Sequence, residues 1–260
     1  MKISLGQTNI IWEDKDKNIE KCKTMIEKAS KNNCDIIVFP EMSLTGFTMN
    51  TEKMSENFEN SKTIKFFSEM SKKYNIYIGF GLSIKENEKS LNKFIVCDDK
   101  GNIICNYSKI HPFSFGMEKD YYMGGDSVES FSLKGIKCSP LICYDLRFPE
   151  IFQICSKESL IIFVIANWPS ERINHWDLLL KSRAIENQCF IVGVNRTGKD
   201  ITLNYNGHSR IINPFGESLT ELTEEESLII YDIEPKEAVE YRKSFKLKLD
   251  RREDIYKKYY

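Results

Sequence analysis

At 260 residues, with 37 basic against 38 acidic side chains and a formal net charge of -1, the chain is long enough to bury one substantial core and has no charge excess that would seek a polyanion. Nucleic acid is therefore excluded as an expected partner. The N-terminal MKISLGQTNIIWEDKDKN is too briefly apolar for a secretory leader, and no segment approaches the roughly 18 to 20 apolar residues of a membrane span. Eight cysteines, at 22, 34, 97, 105, 138, 143, 155 and 189, form no C-x-x-C pair, which predicts free thiols in a reducing cytoplasm, seven of them small buried hydrophobes.

In chain order, an extended apolar run over 3–10 is followed by Ile19, Cys22, Ile26 and Ala29 at helical spacing, a strand and then a helix. The run Asp35-Ile36-Ile37-Val38-Phe39 stops at Pro40 and reads as a buried strand that ends at Glu41. A helix is predicted over 61–74, then strands over 76–84, 94–97 and 103–107, the last two joined by the turn Asp98-Asp99-Lys100-Gly101. Lys109 follows this hairpin. Residues 115–128 lose periodicity and gather Gly116, Gly124 and Gly125, so they are expected to form a loop that walls a pocket and carries Glu118. Cys143 falls between a strand over 136–142 and a helix that starts at Phe148-Pro149-Glu150. A strand over 160–166, a helix over 174–187 with Trp176, Leu179, Leu180 and Ala184 on one face, and a strand over 190–195 make a further β-α-β passage. Strands over 210–213 and 228–233 flank the turn Asn213-Pro214-Phe215-Gly216, and residues 235–260 form a helix and tail. Without a compositional break, this alternation predicts one layered α/β domain over 1–260.

In open α/β sheets ligands bind beyond the carboxyl ends of the strands, and Glu41, Lys109 and Cys143 are each predicted just past such an end. Cys143 also precedes a helix start, where free backbone N–H groups lower a thiol pKa and hold an oxyanion. A free thiol is only a few per cent thiolate at pH 7, so a base or cation must raise that fraction.

Phe39-Pro40-Glu41, Tyr107-Ser108-Lys109-Ile110-His111 and Ile142-Cys143-Tyr144-Asp145-Leu146-Arg147-Phe148-Pro149-Glu150, followed by Ala166-Asn167-Trp168-Pro169 and Ala184-Ile185-Glu186-Asn187-Gln188, together resemble the nitrilase superfamily over nearly the whole chain. The resemblance implies a four-layer α-β-β-α sandwich and a Glu-Lys-Cys triad that falls on Glu41, Lys109 and Cys143, with a second glutamate at Glu118. These residue types permit amide hydrolysis: Glu41 takes the thiol proton, the thiolate attacks, and the same proton leaves with ammonia. Lys109 and the Tyr144 backbone N–H would hold the oxyanion, and water would release the thioester. Glu118 would orient Lys109 or activate that water, unless it is merely an exposed loop glutamate.

The segments Asn167-Trp168-Pro169, His175-Trp176-Asp177, residues 181–188 and Gly193-Val194-Asn195-Arg196 are similar to the ω-amidase branch, which implies 2-oxoglutaramate or a related dicarboxylate monoamide as substrate. Its carboxylate needs a cationic fork, for which Arg147 and Arg172 are candidates; the alternative for Arg147 is an ion pair with Asp145 or Glu150. Tyr144, Phe115, Trp168 and Tyr121 are candidate walls, and Asn167 a candidate substrate contact. The runner-up is an N-carbamoyl amino acid or aliphatic amide hydrolase of the same superfamily, and a catalytically silent interaction module is the alternative of another class. A papain-like pair with His111, His175 or His208 lacks its Cys-Gly-x-Cys-Trp element, no G-x-S-x-G occurs, and three isolated histidines do not make a metal centre. No metal and no cofactor are expected. The resemblance also implies a homodimer or higher homo-oligomer.

Overall fold

The computed structural model describes residues 1–259. The chain runs from β1 (Lys2–Gln7) through α1 (Lys15–Lys31), β2 (Ile36–Val38), the single turn α2 (Thr51–Met54) and α3 (Lys62–Tyr74) to the strands β3 (Tyr77–Glu86), β4 (Lys89–Cys97) and β5 (Ile103–Ser108). A short α4 (Glu118–Tyr121) and β6 (Tyr122–Met123) lead to β7 (Phe131–Leu133), β8 (Ile136–Ile142), α5 (Pro149–Cys155), β9 (Ile161–Ala166), α6 (Ile173–Asn187) and β10 (Phe190–Asn195). The hairpin of β11 (Thr197–Lys199) and β12 (Asn204–Asn206) follows, then β13 (Arg210–Ile212), β14 (Ser227–Asp232), α7 (Lys236–Ser244) and α8 (Glu253–Tyr256).

The strands form two large sheets, ordered β14-β1-β2-β3-β4-β5 with β6 beside β4, and β13-β10-β9-β8-β7. Period-two alternation explains how the sheets stack. Ile36 and Val38 of β2 join the core shared with Leu141, Ile162 and Val164 of the second sheet. Their neighbours Ile37 and Phe39 face outward onto Cys22, Met25 and Ile26 of α1 and Phe67 of α3. On the far side, Trp176, Leu180 and Ala184 of α6 close the second sheet, so the layers are α-β-β-α, the expected sandwich. Both outer helices of the first layer are capped as their sequences dictate: Asp14 accepts from the Lys17 N–H at 3.1 Å and Ser61 from the Ile64 N–H at 3.0 Å. Phe67 stacks on Phe80 with centroids 4.1 Å apart, and burying such a ring stabilises the fold by roughly 1.5–3 kcal/mol.

Two segments depart from expectation. The strand predicted over 94–97 begins at Lys89, because β3 and β4 continue as a ribbon that turns at Asn87 in the left-handed region (φ 53°); its polar end, Lys85 to Lys89, projects into solvent and hides the strand signal. The supposed loop over 115–128 instead contains a helical turn and a strand pairing with β4. That turn buries Glu118 completely, which removes the reading of Glu118 as an exposed loop glutamate.

All eight cysteines are free, seven of them buried and Cys143 partly so. Burial pushes Cys97, Cys105 and Cys189 up to about 12 and Cys155 to about 11, which leaves these thiols protonated and inert as packing groups.

Candidate active site

Sheet topology brings the reactive ends together. β2 and β3 are parallel, and the antiparallel sequence β3-β4-β5 returns β5 to the direction of β3, so the chain leaves β2 and β5 on one edge. Glu41 is held there by a tight turn: the Ser43 N–H donates to the Gly81 carbonyl at 2.9 Å, and the Gly81 N–H donates to Ser43 Oγ at 3.0 Å. Gly81 is required, since a Cβ would stand 2.5 Å from the Met42 nitrogen and 2.8 Å from the Glu41 Cα. Lys109, one residue past β5, is fixed by its N–H donating to the Asn92 carbonyl at 2.8 Å. Cys143 directly follows β8 in the left-handed region at φ 46°, a conformation that costs a non-glycine residue about 1–3 kcal/mol and needs its surroundings to hold it.

Around the thiol the structure assembles one buried polar cluster. Lys109 Nζ donates to Glu41 Oε1 at 3.0 Å and to both Glu118 oxygens at 3.1 and 2.9 Å, with all three side chains at most 1% exposed. Burial alone would lower the Lys109 pKa, but Glu118, Glu41 and Cys143 outweigh it and hold the ammonium well above its ordinary value. Burial first, and the Glu41 charge next, push the Cys143 thiol well above its usual range, with Lys109 pulling the other way. At rest Cys143 is thus held as a thiol beside the Glu41 carboxylate.

Asn92 was not singled out from the sequence. Its Nδ2 donates to Glu41 Oε1 at 2.7 Å and to Glu118 Oε1 at 3.0 Å, tying the two carboxylates together. The available signal was an asparagine inside a strand, where that residue is depleted; the hidden start of β4 concealed it. Asn167, expected as a substrate contact, lines the pocket and also anchors Glu41, its N–H donating to Glu41 Oε2 at 2.9 Å and its Nδ2 to the Glu41 carbonyl at 2.6 Å.

A pocket partly open to solvent, with about 440 Å³ of space, lies over Glu41, Lys109 and Cys143. Of the expected contacts, Tyr144, Arg147, Trp168 and Arg172 line it. Phe115 does not: its side chain is 86% exposed. The wall is Phe113, drawn inward because its N–H donates to Glu118 Oε2 at 2.5 Å, while Phe115, two residues on, turns outward. Tyr121 is likewise exposed, at 40%, and outside the pocket. Phe47, Pro169, Leu203 and Tyr205 complete the walls; the last two come from the β11–β12 hairpin, whose short polar strands gave no pocket signal.

Arg147 pairs with neither Asp145 nor Glu150. Asp145 is wholly buried and occupied by other donors. Arg147 instead lies over the Trp168 ring, 4.7 Å from its centroid, and reaches His175 Nδ1 at 3.3 Å. Arg172 lies 5.8 Å from the Phe113 centroid. Among the described residues, neither guanidinium has a carboxylate within ion-pair distance. His111 and His208 are taken up by Asp145 and Asp177, and His175 lies against Arg147, so among the described residues no histidine is hydrogen-bonded to Cys143 as a papain-like base would be.

The family model for carbon-nitrogen hydrolases matches residues 2–243. The chain belongs to the carbon-nitrogen hydrolase family. This hydrolase is 36% identical over 257 residues to a 2-oxoglutaramate amidase of Bacillus subtilis, covering 98% of each chain. It is 33% identical over 218 residues to the omega-amidase YafV of Escherichia coli strain K12, covering 84% of this chain and 83% of that one. A crystallised hydrolase of the superfamily from Xanthomonas campestris, described with an arsenic adduct in its active site, superposes with a TM-score of 0.91 at 28% identity over 96% of this chain and 97% of its own. The enzyme is therefore an amidase of carbon–nitrogen bonds with the nitrilase-type sandwich, and no helix among its described residues is long and apolar enough to cross a membrane.

Proposed function

We propose that this hydrolase is an ω-amidase that releases ammonia from 2-oxoglutaramate or a similar dicarboxylate monoamide through a thioester on Cys143. The observation that carries the reading is the placement of two guanidinium groups without carboxylate partners, Arg147 and Arg172, on the wall of a small pocket whose base holds Cys143, Glu41 and Lys109. A substrate with an amide at one end and a carboxylate at the other satisfies both ends at once. The names of the relatives from Bacillus subtilis and Escherichia coli support the same substrate class.

In this reading Glu41 accepts the thiol proton as Sγ attacks, Lys109 and the Tyr144 N–H stabilise the oxyanion, and Glu41 returns the proton to the departing ammonia. Water then hydrolyses the thioester. Glu118 and Asn92 keep the ammonium and the base in register. Eight free thiols suit a reducing cytoplasm. The apolar side chains Ile154, Leu178, Ile185 and Phe245, each at least 48% exposed, are available for burial in a homodimer, which sedimentation velocity would reveal as a single species of twice the chain mass.

The test is ammonia release from 2-oxoglutaramate set beside an N-carbamoyl amino acid. Turnover of the former alone is expected; turnover of carbamoyl substrates alone refutes the ω-amidase reading. Arg147→Ala and Arg172→Ala should each raise KM for the dicarboxylate monoamide about 10- to 100-fold, the equivalent of one charge-assisted hydrogen bond. A neutral amide such as butyramide should lose less than about threefold. Equal losses on both substrates would show that the arginines shape the pocket instead of reading a carboxylate.

A further inference from the structure

Cys143 and Lys109 come from different sheets, and Cys143 keeps a left-handed backbone that a cysteine does not adopt unaided. Something must hold the turn and set its distance from the ammonium. One buried side chain touches both segments. Asp145 is 0% exposed and has four donors. Its Oδ2 accepts from the Ile142 N–H at 3.0 Å, closing the nucleophile turn from inside, and from the Tyr107 hydroxyl at 2.8 Å. Its Oδ1 lies 3.1 Å from the His111 backbone nitrogen, which donates to it, and 2.8 Å from His111 Nδ1.

The contacts flank both groups. Tyr107 and His111 stand two residues before and two after Lys109, while Ile142 and Asp145 bracket Cys143. Three of the four contacts tie a neighbour of the ammonium to a neighbour of the sulfur, and the fourth, from Ile142, closes the turn of Cys143 itself. The donors are also secured. Burial, and then Asp145 itself, push the Tyr107 hydroxyl well above its ordinary value, so it keeps its proton. The His111 ring is stacked on Phe148 at 3.8 Å and 10°, which fixes its Nδ1 toward the carboxylate.

We infer that Asp145 is a positioning residue whose carboxylate, bonded to both strand ends, sets the placement of the Cys143 thiol against the Lys109 ammonium. The inference rests on the proposed roles of Cys143 and Lys109. It demands a carboxylate in particular. A carboxamide offers one oxygen and one NH2, and each side of Asp145 faces a backbone N–H that cannot reverse, that of Ile142 or that of His111. Whichever way an asparagine turns, an NH2 meets an N–H and one tether is lost.

The test compares Asp145→Asn with Tyr107→Phe, which removes a single donor and leaves three. Thermal melting, kcat and KM on the best amide, and the rate of Cys143 alkylation by iodoacetamide are measured together. In a folded Asp145→Asn protein, kcat should fall at least tenfold with KM within twofold, and Cys143 alkylation should slow in parallel. Tyr107→Phe should show the same split at smaller size, two- to fivefold. Should Asp145→Asn fail to fold, Tyr107→Phe decides alone. Unchanged kcat and alkylation in the folded variants, or a rise in KM that accounts for the whole loss, overturns the inference. Cys143→Ala serves as the separate control: if it remains active, the reading of the site has failed, whereas an inactive Cys143→Ala beside a fully active Asp145→Asn overturns the positioning role alone.

Discussion

Cys143→Ala should release no ammonia above background while melting within a few degrees of the parent enzyme. Removing a covalent nucleophile from an assembled site is expected to lower kcat by a factor on the order of 10⁶, because the neighbouring groups then have nothing to deprotonate and no acyl bond can form. The fold should tolerate the change: the side chain lies at the base of a pocket and is only partly buried, and a sulfur removed beside existing space costs about 1 kcal/mol or less. The check is a coupled ammonia assay beside intact-mass measurement, with the parent expected to carry a transient acyl adduct and the variant none. Iodoacetamide supplies a second reading. The other seven thiols are buried, so the parent should be modified at one residue at pH 7 and Cys143→Ala at none. A Cys143→Ala protein that still turns over amide would end the thioester mechanism, and labelling of the parent at a residue other than Cys143 would show that the pocket does not present this thiol.

How much of this was legible in the sequence depended on whether a signal is local. The run from Asp35 to Phe39, stopped by proline, places Glu41 at a strand end without reference to the rest of the chain. The break between an apolar strand and Phe148-Pro149-Glu150 does the same for Cys143. Those two positions follow from composition over a few residues. Glu118 carried no such signal. Its burial depends on a turn that bonds to Lys109, 9 residues earlier, and on Asn92, 26 residues away, pairings that only the closed sheet creates. Phe115 and Phe113 are equally aromatic and two positions apart; which one faces the pocket is settled by a single backbone bond to Glu118. Arg147 shows the complementary case. Proximity in sequence to Asp145 left an ion pair open as the alternative to a pocket role, but the carboxylate points into the core and takes donors from β5 and beyond, leaving the guanidinium to the pocket.

Glu41→Gln should separate two reactions of the same sulfur. Amide turnover requires a group that takes the thiol proton and later delivers it to ammonia, and loss of such a general acid–base typically costs about 10²- to 10⁴-fold in kcat. Glutamine is nearly isosteric, yet it cannot match what surrounds Glu41, since one oxygen accepts from Lys109 and Asn92 and the other from the Asn167 N–H. Alkylation by acrylamide needs a thiolate to add to the β-carbon and a proton, which solvent supplies, for the resulting enolate. After burial, the Glu41 charge is the largest influence raising the Cys143 pKa, and Lys109 opposes it. Neutralising Glu41 therefore lowers the thiol pKa, and the sign of the shift is fixed: the thiolate fraction at any pH below the parent's pKa must rise. Acrylamide modification of Glu41→Gln should consequently persist and reach its plateau at a lower pH than in the parent, while ammonia release nearly vanishes. The pH profile of alkylation, read by intact mass from pH 6 to 10, checks this directly. A profile displaced to higher pH would mean that Glu41 does not oppose the thiolate by charge, and undiminished amide turnover would mean that another group moves the proton.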